Sequence, residues 1–374
     1  MKFGIGVIGA TGFIGSPYRK EIRESPDDAT IVALCARRRD LLEAAGDEDG
    51  AKLITHDWRE VIEHDDVDTV LVATPDALHY EEVLACAKAG KHVICEKPVG
   101  VNVAQAHEMW AACREAGLAD FVPFWTRYVP VYGRAREIFR AGRLGDIRAI
   151  VCRWHNPRPA AMPLTWRDDA TRSAGGSIAD VGSHAYDTIR WMLDLEATRV
   201  FAHADVITPA KPDLGDINLE EAIQWGRAHT ADESPQLKKG TAYDYAAISF
   251  EMENGAVGSL VLSHAPFFRK GFAPELELHG TLASLSVDRN SGELRLAEGD
   301  REAELLETVP FSGDVNRFRQ HVFPALRAQI AGEPIDHPSL ADGWRVQLFT
   351  DAAALSAQEQ RSIELSELAV GQVS

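Results

Sequence analysis

The sequence predicts an α/β protein in two parts. A doubly wound parallel sheet comes first, followed by an α/β domain built on a large, open, mostly antiparallel sheet. Residues 1 to about 125 alternate wholly apolar runs with helical stretches, while later runs alternate apolar and polar positions. A length of 374 residues is enough for two cores, so the boundary is drawn between residues 1–125 and 126–374.

In the first part the apolar runs are FGIGVIG (3–9), TIVALCA (30–36), TVLVAT (69–74), HVICE (92–96) and ADFVPF (119–124). Their lack of polar alternation marks strands covered on both faces by crossover helices. EEVLACAKAG (81–90) is such a helix: Val83, Leu84 and Ala87 share a face, and Gly90 ends it. Beyond residue 125 a helix is predicted over 132–142. Half-buried strands follow at 147–155, 198–205, 244–253, 256–265, 275–280 and 283–288. Asn254-Gly255, between two of these, signals a hairpin. The polar segment 209–240, with LEEAIQWGRAH as a short helix, reads as an insertion near the sheet edge or over the site. A C-terminal helix near 340–358 is expected to pack back on the first domain.

The net charge of −18 argues against nucleic acid or an anionic membrane as partner, since both need a basic face. Cysteines at 35, 86, 95, 113 and 152 form no C-x-x-C pair, and three sit inside apolar strands, as expected of buried thiols. The apolar stretch 2–15 is broken by five glycines and lacks a cleavage site, and no run reaches the ~18 apolar residues of a membrane span. A cytoplasmic location is the expectation. No zinc-binding motif is present, and no metal is expected.

VIGATGFIGSP (7–17) places a glycine turn after a strand and before a helix. Gly9 permits the turn, Gly12 lets backbone approach a pyrophosphate, and Gly15 allows close helix packing. Several reductase classes write a similar turn. A short-chain dehydrogenase needs Tyr-x-x-x-Lys, yet none of the seven tyrosines has a lysine four places later. Acyl-phosphate reductases need a thiolate, and Cys152, the one cysteine of the second half, lies mid-strand.

VATPDALHYEEVLACAKAGKHVICEKPVG (72–100) separates the remaining classes. It resembles the Gfo/Idh/MocA family of sugar and inositol oxidoreductases in Thr74-Pro75, His79 and Glu96-Lys97-Pro98. WTRYVP with REIFRAGRLGDI, WRDDATRSAGGSIADVGSHAYDTIRWML (166–193), ISFEMENGAVGSL and LELHGTLASL extend the resemblance over nearly the whole chain except 209–240. It implies a Rossmann domain that binds NAD(P) through Gly9, Thr11, Gly12, Phe13, Ile14, Arg37, Arg38, Thr74, Pro75, His79, Glu96 and Lys97. It further implies His184 as acid/base, Asp180 as its assistant and Lys97 as the third catalytic member. Arg127, Tyr128, Arg153, His155, Trp166, Arg167 and Asp187 are candidate contacts to a carbohydrate or cyclitol. A homo-oligomer, dimer or tetramer, through the second-domain sheet is also implied.

Read from the residues themselves, Lys97 lies past a strand end, where such sheets bind ligands. Gly182-Ser183 is expected to start a helix, with Asp180 a turn before it and His184, Asp187, Thr188 and Trp191 on one face. The second strand ends in ALCARRRD: Ala36 stands where an acid would bond the ribose diol, and Arg37, Arg38 and Arg39 follow. Guanidinium groups match a 2′-phosphate, which favours NADP(H), with NAD(H) as the alternative. A redox-neutral glycoside-cleaving enzyme and a non-catalytic NADP sensor are the competing functions.

Overall fold

Strand β1 (Phe3–Ile8) takes the centre of a six-stranded sheet because both its faces are apolar. The computed structural model describes residues 1–173, 175–215, 217–230, 236–311, 313 and 315–369. After β1 come α1 (Gly15–Arg23), β2 (Ala29–Cys35), α2 (Arg39–Asp49), β3 (Leu53–Thr55) and α3 (Trp58–Glu63). Then follow β4 (Thr69–Val72), α4 (Asp76–Ala89), β5 (His92–Cys95), α5 (Val103–Glu115) and β6 (Asp120–Phe121). The order is β3-β2-β1-β4-β5-β6, with every pairing parallel. Chain direction across the sheet reverses between β1 and β4, so their C-terminal ends flank a ligand crevice. The last strand is shorter than the predicted 119–124, because the Val122 N–H donates to the Pro338 carbonyl instead of a sheet neighbour.

Next come α6 (Pro130–Arg140), β7 (Ile147–His155), α7 (Ser177–Leu193), β8 (Ala197–Asp205), β9 (Lys211–Pro212), α8 (Leu219–Ala228) and β10 (Leu237–Lys238). β11 (Tyr245–Met252), β12 (Val257–Ser263), β13 (Leu276–Gly280), β14 (Ala283–Asp288), β15 (Glu293–Glu298) and β16 (Glu304–Thr308) follow. α9 (Phe323–Ala331), α10 (Leu340–Glu359) and β17 (Ile363–Glu364) come last. The nine-stranded sheet runs β16-β15-β14-β13-β7-β12-β11-β8-β17 and is antiparallel except at β7–β12. Along β7, Ile150, Cys152 and Trp154 are buried, while Ala149, Val151, Arg153 and His155 alternate with them on the opposite, half-exposed face. Gly255, at φ +80°, turns the β11–β12 hairpin.

Two compact units result: Met1–Pro123 with Asp314–Arg345, and Phe124–Gly313 with Val346–Ser374. Residues 314–345 thus depart from the single division at 125/126. Local contacts account for this. The Asn316 Nδ2 donates to the Glu21 carbonyl at 2.7 Å, Phe323 stacks on Phe3 at 5.7 Å, and the Gln329 Nε2 donates to the Asp120 carbonyl at 2.9 Å. In 209–240 the described residues form a small β9–β10 ladder and α8, which starts with a reciprocal Asn218–Glu221 cap. Residues 216 and 231–235 lie outside the described residues.

One helix boundary corrects the sequence reading. α7 begins at Ser177, not at Gly182. Gly176, at φ +55°, serves as its cap, and a Cβ there would lie 2.2 Å from the Tyr243 carbonyl oxygen. Gly182 instead lets α7 approach the sheet, since its Cβ would meet Leu262 at 2.8 Å. Asp180 therefore belongs to the first turn of the helix and does not precede it.

Glu82 on α4 is 2% exposed, and burial pushes its carboxyl up to about 7 against the lowering effect of the Thr74 hydroxyl. A raised folded-state value means stability is lost as pH climbs through 7. Glu82→Gln is expected to be roughly 3 kcal/mol more stable than wild type at pH 8 and equal to it near pH 4, as checked by urea unfolding at the two pH values.

Candidate active site

In the first unit three strand ends come together. The turn after β1 is side-chain-free where it must be: Gly9 has φ +83°, and its Cβ would lie 2.5 Å from the Ala73 carbonyl oxygen beyond β4. A Cβ on Gly15 would lie 2.3 Å from the Gly9 carbonyl oxygen, so α1 starts directly against the turn. Thr11, Gly12, Phe13 and Ile14 span the interval, with Phe13 exposed. A bare backbone turn at a helix N-terminus fits a dinucleotide pyrophosphate.

The Thr74-Pro75 turn after β4 and the Glu96-Lys97-Pro98 turn after β5 are tied together by His79. It is 1% exposed, with Nε2 2.9 Å from the Thr74 carbonyl and Nδ1 3.0 Å from the Pro98 carbonyl. Expected among the cofactor contacts, His79 is committed to main chain and works as a clamp. Glu96 is similarly buried: Oε1 accepts from the Tyr18 hydroxyl of α1 at 2.5 Å, and Oε2 accepts from the Lys97 N–H at 3.1 Å. These bonds fix the backbone from which the half-buried Lys97 side chain projects. Arg37, Arg38 and Arg39 are all exposed after β2; Arg38 lies 4.0 Å from Asp40, and Arg39 bonds Glu43 at 2.8 Å on α2.

In the second unit the candidate residues gather on and around α7. Asp180 and His184 are four residues apart and therefore neighbours on one helix face. The His184 ring lies beside Trp154 at 6.4 Å, nearly parallel, and meets Phe124 edge-on at 6.2 Å. Asp180 Oδ2 lies 3.2 Å from Nε2 of His264, 3.6 Å from Arg158 Nη2 and 3.9 Å from Arg167 Nε. Behind them Asp168 Oδ1 accepts from Lys211 Nζ at 2.8 Å and lies 3.6 Å from Arg158 Nη1. Burial would raise the Asp168 carboxyl, but Lys211 and then Arg158 outweigh it and hold it below the usual range. Burial first, and the Arg158 charge second, push His264 down to about 4, so its imidazole is neutral at working pH.

The other candidates divide by strand parity and burial. Trp166 and Arg167 stand together, the guanidinium 4.4 Å over the indole. Tyr128 is half-buried, 6.3 Å from Trp125. Arg127 and Asp187, expected to contact substrate, bond each other: Nε to Oδ2 at 2.8 Å and Nη2 to Oδ1 at 2.5 Å, both residues buried. Arg153 and His155 leave β7 on the face opposite Trp154, away from His184. There they line a cavity of about 260 Å³ with the 267–273 loop. Neither stands with His184. Cys152 is buried in β7, and burial raises its thiol, so no thiolate nucleophile arises there.

Four members of the group around α7 escaped the sequence reading: Arg158, Asp168, Lys211 and His264. Thr165-x-x-Asp168 carried a signal, because it is a capping box: the Thr165 N–H and hydroxyl both donate to Asp168 Oδ2. Arg158, between two prolines, carried none.

The Arg127–Asp187 pair is a buried ion pair whose loss leaves a guanidinium without its carboxylate. Asp187→Ala is expected to lower the unfolding free energy by about 3–5 kcal/mol, as read by chemical denaturation.

Comparison with known proteins agrees with this fold. The profile described as "Oxidoreductase family, NAD-binding Rossmann fold" matches residues 3–124, and the GFO/IDH/MocA C-terminal domain matches residues 132–286. Myo-inositol 2-dehydrogenase of Thermotoga maritima is 28% identical over 97% of this chain and 99% of its own. Levoglucosan dehydrogenase of Pseudarthrobacter phenanthrenivorans is 26% identical over 94% of this chain and 90% of its own. The crystal structure of an oxidoreductase domain protein from Kribbella flavida superposes with a TM-score of 0.82 at 26% identity, covering 97% of this chain and 99% of that one. Among the described residues no helix is long and apolar enough to cross a membrane. Sheet order, glycine turn and both matched profiles lead to one conclusion: the chain belongs to the Gfo/Idh/MocA family of oxidoreductases.

Proposed function

We propose that this oxidoreductase transfers hydride between NADP(H) and a secondary alcohol or ketone of a sugar, cyclitol or sugar derivative. The observation that carries the reading is the face of α7, which sets an imidazole one helical turn from a carboxylate held among cations. Bound NAD(P) supplies the hydride acceptor or donor. In the oxidative direction His184 takes the hydroxyl proton, and in the reductive direction it returns one. Lys97 sets positive charge toward the reacting oxygen, and Asp180 keeps negative charge beside His184. Trp166, Arg167 and Tyr128 offer the aromatic surface and hydrogen-bond donors that a polyhydroxylated ligand uses. The substrates named for the relatives, myo-inositol and levoglucosan, head a panel of sugars and cyclitols to be followed at the nicotinamide absorbance band. Lys97→Met and His184→Asn are expected to lower kcat by about 10²–10⁴-fold; wild-type turnover in either would remove that residue's role.

The cofactor preference rests on Arg37 and Arg38, both exposed beyond β2, with Ala36 at the strand end where an acid would repel a 2′-phosphate. A double Arg37→Ala, Arg38→Ala variant is expected to raise KM for NADP about tenfold or more and leave KM for NAD unchanged. A lower KM for NAD than for NADP in wild type would instead favour NAD. The open face of the nine-stranded sheet, where Phe201 is 49% and Val257 57% exposed, supports self-association through that face. Five free, buried thiols fit a reducing, cytoplasmic setting.

A further inference from the structure

The second unit holds a run of alternating charge of which the proposed reaction has used only the Asp180 end. Lys211, Asp168, Arg158 and Asp180 follow one another at 2.8, 3.6 and 3.6 Å, and His264 closes the run 3.2 Å from Asp180. Four separate segments supply its members: the insertion, the 158–168 loop, α7 and the end of β12. The side chains of Lys211, Asp168 and His264 are 8%, 8% and 5% exposed, and that of Arg158 is 11% exposed. Only the Asp180 end is open, at 25%. A buried row of this kind ends at its one accessible carboxylate, which stands one helical turn before His184.

We infer that Lys211, Asp168, Arg158 and His264 are positioning residues for the reaction, fixing the Asp180 carboxylate beside His184 and setting how much of its charge the imidazole feels. The inference rests on the reading of His184 as the acid/base. Bare, a carboxylate one turn away would hold His184 protonated and make it a poor proton acceptor. Arg158 meets part of that charge, and Arg167 stands 3.9 Å off on another side. Arg158 is itself shared between two acids. Lys211 satisfies Asp168 from behind and so leaves Arg158 available to Asp180. His264, uncharged, stands 3.2 Å from the Asp180 carboxylate without adding charge. The other acids on and just after α7 each meet arginine: Asp187 has Arg127, Asp194 has Arg136 and Arg140, and Glu196 has Arg190, which also lies 3.8 Å from Asp187.

The insertion holds the row in place. The Leu164 N–H donates to the Pro212 carbonyl at 2.9 Å, and the Asp168 carbonyl accepts from the Thr241 and Ala242 N–H groups at 2.8 and 3.1 Å. Gly226 of α8 lies so close to the loop that a Cβ would be 2.6 Å from Met162 Cα. Residues of 209–240, with Thr241 and Ala242 just beyond, thus fix the loop that carries Arg158 and Asp168. Lys211 is the point at which the insertion enters the charge row.

The test is the titration of the His184 imidazole in the full chain, followed by histidine NMR and assigned with His184→Asn. No substrate or cofactor is needed. Arg158→Gln is expected to raise the His184 midpoint by about one pH unit, because Asp180 then acts on the imidazole undiminished. Lys211→Met, two links away, should raise it in the same direction by less, and Lys211→Arg should restore it. His264→Asn should leave the midpoint in place. If Arg158→Gln does not fold, Lys211→Met with its arginine rescue decides alone. An unmoved midpoint in both charge variants, with only thermal stability changed, overturns the inference. Shifted midpoints with full turnover in His184→Asn would instead overturn the acid/base reading and leave the charge row standing.

Discussion

The bond between Arg127 and Asp187 sets the orientation of everything on α7. A helix packed on a sheet can rotate about its axis, and about 100° per residue decides which side chains face the site. The paired, buried guanidinium and carboxylate bolt the 125–128 turn to the middle of the helix, and the Thr126 hydroxyl 2.9 Å from that of Thr188 adds a second bolt. With Asp187 turned to Arg127, Asp180 and His184 fall on the same stripe by helical spacing. The two residues expected to touch substrate thus do something prior: they decide what else is presented.

The parallel sheet was readable because its strands have no polar alternation, a pattern few other contexts produce. The second sheet was readable by the opposite pattern and by Asn254-Gly255. The start of α7 was not. Gly182-Ser183 looks like a helix opening, yet Gly182 is required by the close approach of Leu262, a contact 80 residues away in the sequence. The same limit applied to residues 314–345, whose place is decided by Glu21, Phe3 and Asp120 and not by their own pattern.

Within the site, the turns after β1, β4 and β5 were identifiable from glycines and the two X-Pro pairs, because backbone constraint leaves a local signature. Side-chain partnership leaves almost none. His79 was expected to meet a cofactor and instead joins two carbonyls. Arg153 and His155 shared a strand with Trp154, and strict alternation sends them to the far face. Arg158 and His264 acquire meaning only when 156–168 and the end of β12 come together at Asp180.

The bond from Lys211 to Asp168 also bears on how such a chain diversifies. Segments inserted at a sheet edge are commonly exchanged without harm because they carry no internal partner. Here the 209–240 stretch contributes an ammonium that donates to a buried carboxylate of the 158–168 loop. Removing the stretch would take away the nearer of the two cations beside Asp168 and leave that acid to Arg158, 3.6 Å away, so a descendant with a new version of it gains by keeping a cation at that place.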